Sequence, residues 1–78
     1  MKLNRIQSGN TIIFENADVQ GFSFARNVGK WNSCTGEIEV FSFLRGWFNR
    51  QPEVIRNEKE AEKLIRSRYV QNPSKSAV

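Results

Sequence analysis

The sequence contains no histidine, and Cys34 is its only cysteine. Without histidine there is no Ser-His-Asp triad and no imidazole base to activate a thiol. A single cysteine permits no intramolecular disulfide. With no histidine beside it, it also offers no clustered ligand set for a metal. The five glycines form no phosphate-cradling loop. No apolar run approaches the length of a membrane span, and Met1-Lys2-Leu3-Asn4-Arg5 is not followed by the apolar core of a signal peptide. The expectation is a cytoplasmic protein that is not an enzyme, carries no metal or cofactor and does not engage a membrane.

What the chain does have is aromatic and basic side chains. Its 78 residues leave room for one domain with a thin core. Six Phe, two Trp and one Tyr are more rings than such a core strictly needs, so some are expected at the surface for a reason. Twelve Lys and Arg stand against eight Asp and Glu, for a net charge of +4. That excess favours encounter with phosphates or acidic protein surfaces.

The pattern along the chain predicts an α+β fold: a small antiparallel sheet of three or more strands with a C-terminal helix packed on it, and a second short helix as an option. Residues 1–71 form the expected domain and 72–78 a flexible tail. After the turn cluster Ser8-Gly9-Asn10, the β-branched and aromatic run Thr11-Ile12-Ile13-Phe14 reads as a strand. Phe22-Ser23-Phe24-Ala25-Arg26 reads as a second strand, and 27–35 as a loop holding Trp31. Gly36 to Val40 alternates, with Ile38 and Val40 on one face and Glu37 and Glu39 on the other, which predicts a half-buried strand. In 42–50 the apolar positions Phe43, Leu44, Trp47 and Phe48 fit a helical period with Ser42 as N-cap. The same stretch also reads as a strand continuing to Leu44 and turning at Arg45-Gly46. Trp47 is expected in the core and Trp31 exposed. The clearest element is a helix over 58–69: Asn57 precedes Glu60 by three residues, as in a capping box. Ala61, Leu64 and Ile65 form its apolar face, and Glu62 and Arg66 are spaced for an ion pair.

The segment Phe22-Ser23-Phe24-Ala25-Arg26 echoes in Phe41-Ser42-Phe43-Leu44-Arg45. Together with Phe14-Glu15-Asn16-Ala17-Asp18 it resembles the cold-shock domains. There an aromatic strand and an Asn-Ala-Asp turn lead into a Gly-Phe-Gly-Phe motif, followed later by Val-Phe-Val-His-Phe. Here Ser23 replaces the central glycine, the second motif lacks its histidine, and the likeness ends at residue 45. The resemblance implies an OB barrel whose rings stack on single-stranded bases, with Phe14, Phe22, Phe24, Phe41 and Phe43 in that role. A second likeness lies in the later part, where a strand is followed by Leu44, Trp47-Phe48, Pro52 and a charged helix ending at Asn72-Pro73. That order is similar to some small phage anti-CRISPR proteins, and it implies inhibition of a host or defence complex by surface contact.

The sequence thus predicts a non-catalytic binding module. Its leading partner is single-stranded nucleic acid, with Arg26, Lys30 and Arg45 on phosphates beside the stacking rings. The alternative is a host protein complex, bound through Trp31 and the basic groups. The oligomeric state is left open.

Overall fold

The computed structural model describes residues 1–19, 26–42 and 45–69. Five strands run in order: β1 (Leu3–Ser8), β2 (Thr11–Asn16), β3 (Asn27–Asn32), β4 (Glu37–Ser42) and β5 (Trp47–Val54). One helix, α1 (Glu58–Arg68), follows. The expected α+β class holds. Each strand pairs antiparallel with its sequence neighbour, so the sheet order is β1-β2-β3-β4-β5. This is a meander, and among the described residues no pairing closes it into a barrel. β1 and β5 are its two edges.

α1 lies across one face and packs chiefly on β3 and β4. It starts where the Asn57 side chain accepts the backbone N–H groups of Lys59 and Glu60, satisfying donors that an α-helix leaves open at its first turn. Glu58 and Glu60 occupy the first turn and Arg66 and Arg68 the last, which suits the helix dipole at both ends. Ala61 and Ile65 are fully buried, whereas Leu64, expected beside them, is half-buried. The Glu62–Arg66 pair forms at 3.0 Å.

Beneath the helix the core comprises Ile12, Phe14, Val28, Trp31, Ile38 and Val40 together with Ala61 and Ile65. Gly29 is the point of closest approach. A Cβ there would lie 2.7 Å from Ile65 Cγ2 and 2.8 Å from the Glu39 carbonyl oxygen. Ile65 therefore occupies the space that any other residue would fill at position 29.

Two irregularities shape the sheet. Phe14 faces Gly29 and Glu15 faces Asn27, so Val28 is an extra residue that bulges into the core. Between Glu37↔Val54 and Glu39↔Arg50, one β4 residue, Ile38, stands against three β5 residues, Gln51, Pro52 and Glu53. The proline sits where the ladder is already broken and no N–H is required of it.

Two sequence expectations give way here, and one strand forms where the sequence assigned no element. Residues 27–32, expected as loop, form β3: Gly29 and the asparagines suggested a loop, but the glycine serves the helix contact. The helix read as one option over 42–50 is not seen among the described residues there: Ser42 ends β4, and 47–50 lie in β5. The chain turns at Gly46, whose φ of 77° is left-handed and whose N–H donates to the Ser42 carbonyl at 2.8 Å, and it continues as β5. The polar run at 3–8 forms an edge strand in unbroken register with β2. The expected strand at Phe22–Arg26 falls largely outside the described residues, as does the expected tail at 72–78.

Candidate functional site

The nine residues nominated from sequence separate into four groups. Phe14, Trp31 and Phe41 are buried at 1%, 5% and 3% exposure. None can present a face to a base without unfolding, which corrects their assignment as contact residues. Phe14 stands opposite Gly29 under the helix. Trp31, expected in an exposed loop, lies in β3, and its indole N–H donates to the Ile55 carbonyl at 2.8 Å. The Ile55 N–H in turn donates to the Gly36 carbonyl at 2.9 Å. This pair of bonds fastens the β5–α1 connection across the end of β3 and β4. Phe41 is buried on the side of the sheet opposite the helix, edge-on to Phe48 with centroids 5.1 Å apart.

Arg26 and Lys30 already hold carboxylates. Arg26 meets Glu15 at 3.2 Å and Lys30 meets Glu39 at 3.9 Å. The Lys30 ammonium also sits 4.6 Å from the centre of the Phe48 ring, an attraction between a cation and the ring's electron-rich face. Arg50 pairs with Glu37 at 2.5 Å. Register and alternation place these charges on the uncovered face, where each cation lies beside an anion. A phosphate arriving there would have to displace a carboxylate from Arg26 or Lys30. Phe22, Phe24 and Phe43 lie outside the described residues.

Arg45 is the nominated residue whose setting fits a contact role. It is exposed at the β4–β5 turn, and no described carboxylate lies within ion-pair distance of it. Two residues on, Trp47 is 57% exposed, where the sequence placed it in the core. Its indole N–H donates to the Asn49 side chain at 3.2 Å, which fixes the ring while leaving much of its surface to solvent. Further along the same strand Val54 is 56% exposed. Outside β5, Ile6 on β1 is the remaining large apolar residue exposed to this degree among the described residues, at 43%. Among the described residues, the exposed large apolar side chains thus lie on the two edge strands. A shallow depression of about 360 Å³ beside the β5 irregularity is walled by Arg50, Pro52, Glu53 and Val54, among others.

A second exposed feature is the crest of α1. Lys59, Lys63 and Arg66 follow one another at helical spacing on the side away from the sheet, with Arg56 just before the helix. Arg66 is held by Glu62, and it also donates to the Met1 carbonyl at 2.6 Å. Lys59 and Lys63 have no described carboxylate within ion-pair distance. On the sheet side, Arg68 binds both carboxylate oxygens of Glu53, and this charge-assisted pair holds Glu53 below the usual carboxylate range. Arg5 and Glu58 tie β1 to the helix start at 2.6 Å.

Among the described residues, no group of three or more His, Cys, Asp or Glu side chains is placed to hold a metal, and no helix is long and apolar enough to cross a membrane. No family model, no curated protein and no solved structure matches the chain. Any functional reading therefore rests on the surface itself.

Proposed function

We propose that the protein is a non-catalytic binding module whose partner is another protein with an acidic surface, engaged through the β4–β5 turn and the outer edge of β5. The observation that carries this reading is the exposed, hydrogen-bonded Trp47 beside the exposed Arg45, which meets no carboxylate among the described residues. Trp and Arg are the residue types that most often dominate protein–protein binding energy. An indole pinned by Asn49 loses little further freedom on binding, so more of its burial is available as affinity. Val54 is a second exposed apolar side chain, seven residues further along β5, and the net positive charge favours encounter with an acidic partner.

The nucleic-acid reading keeps support from a different place. Lys59 and Lys63, with Arg56 nearby, are exposed cations in no ion pair among the described residues, although Glu58, Glu60 and Glu62 are interleaved with them; such cations suit phosphates. It draws no support from the described rings that were assigned to stacking, because those rings are buried.

Capture from an extract of the native host distinguishes the two. The expected result is a protein retained after nuclease treatment, lost with Trp47→Ala and kept with Lys59→Ala/Lys63→Ala. Loss on nuclease treatment, together with binding of short single strands that collapses at higher salt, would transfer the function to the helix crest.

A further inference from the structure

The two edges of the sheet are built differently. β5 carries Pro52 and a break of two extra residues against β4, devices that disfavour continuous pairing with another strand. β1 has neither. It keeps six consecutive pairs with β2 and contains no proline. Its one charged side chain, Arg5, is drawn onto the helix side by Glu58. On its helix side, Arg5 and the nearby Arg66 are held in closed pairs with Glu58 and Glu62, and Lys2 lies just before the strand.

The outward hydrogen-bonding groups of β1 follow from one bond. The Ala17 N–H donates to the Lys2 carbonyl at 2.8 Å, so Lys2 turns its peptide groups towards β2. By alternation Asn4, Ile6 and Ser8 do the same, and Leu3, Arg5 and Gln7 present theirs outward.

We infer that β1 is the docking edge for a second copy of this chain, paired antiparallel about a twofold axis through Ile6. A twofold axis normal to the sheet matches residues that lie on the same face. That limits the centred registers to those pairing a residue with its own copy. Centring on Arg5 sets guanidinium against guanidinium. Centring on Ile6 sets Ile6 against Ile6 of the second copy on the uncovered face, and Arg5 against the neutral Gln7 on the helix face. In that register Arg5 and Gln7 exchange their outward N–H and C=O groups, and the two Ile6 side chains form the close, non-hydrogen-bonded pair. Each copy thereby covers its partly exposed Ile6, and the two sheets become one of ten strands. A strand pair is small against the ~1,200 Å² of a stable interface, so the dimer is a concentration-dependent equilibrium.

Sedimentation over a concentration series tests this, and cysteine cross-linking reads the register. In a Cys34→Ser background, Ile6→Cys should form a disulfide-linked dimer on mild oxidation, since Cα atoms of a non-hydrogen-bonded pair lie about 4.5 Å apart, within disulfide reach. Arg5→Cys in the same background should not, because position 5 faces position 7. Ile6→Lys should shift the dimerisation midpoint at least tenfold to higher concentration, with an unchanged far-UV spectrum. A wild-type chain that stays monomeric up to about 1 mM, a dimer indifferent to Ile6→Lys, or equal cross-linking at positions 5 and 6 would each overturn the proposal.

Discussion

Replacing Gly29 with Ala tests how the helix is seated. Position 29 lacks a left-handed φ, so the backbone itself accepts alanine. The conflict is one of space. The new Cβ would stand 2.7 and 2.9 Å from two carbons of Ile65 and 2.8 Å from the Glu39 carbonyl oxygen, where carbon contacts settle at about 3.5–4.0 Å. Ile65 can move outward only by lifting α1, and the Glu39 oxygen belongs to the adjoining strand. Overpacking of this kind costs about 1–3 kcal/mol. The smaller entropy of the unfolded alanine chain returns about 0.4–1 kcal/mol. A net loss of about 1–2 kcal/mol is expected, and in a domain of this size each kcal/mol lowers the melting midpoint by roughly 4–8 °C. Ile65→Ala alone should cost about 2–5 kcal/mol through its cavity. The double variant should lose less than the sum, by about 0.5–3 kcal/mol of coupling, because each change relieves the other. Thermal and urea melts followed by circular dichroism supply the measurement. An unchanged or raised midpoint for Gly29→Ala, or strict additivity in the cycle, would refute the claim that Ile65 rests on Gly29.

Asn57→Ala should cost about 1 kcal/mol by uncapping α1, read as a shift of the urea midpoint with the slope unchanged. Trp31→Phe keeps the ring's bulk but removes the donor to the Ile55 carbonyl, with an expected loss of about 1–3 kcal/mol; hydrogen exchange should quicken at the β5–α1 connection. Because Arg68 lowers the Glu53 pKa, the pair contributes its full stability above the ordinary unfolded value of about 4.3 and loses it as pH falls through the lower folded value. Glu53→Gln should therefore flatten the acid limb of a stability–pH curve and leave its alkaline limb alone. Trp47→Ala should change the melting midpoint little, within about 0.5 kcal/mol, while abolishing the quencher-accessible part of the tryptophan emission.

The parts of the fold legible in the sequence are those where local and tertiary demands agree. Asn57 caps, Ala61 and Ile65 recur at helical spacing, and α1 follows. Ile38 and Val40 alternate with glutamates, and β4 follows. Where tertiary packing reassigns a residue, the sequence misleads. Gly29 in β3 looks like a loop residue until the helix above it is known. Phe41, Leu44, Trp47 and Phe48 fit a helical period, yet Gly46 turns the chain and Pro52 is accommodated in a strand break. β1 is polar because it is an edge strand, which hides it from any hydrophobic pattern. The candidate site suffered most, since exposure is a property of the whole fold. Trp31 and Trp47 exchanged their expected roles: the one in polar company is buried beside Ile55, and the one in an apolar cluster projects from a turn. The adjacent glycine and arginine, turn residues both, were the available signal for Trp47.

The central claim is that Trp47 anchors a protein partner. Its most direct test is the equilibrium affinity of the captured partner for the wild-type chain and for Trp47→Ala, measured by calorimetry after nuclease treatment. A hot-spot tryptophan contributes about 2 kcal/mol or more, so the variant should bind about 30-fold or more weakly. Equal affinity for the two proteins would contradict the claim.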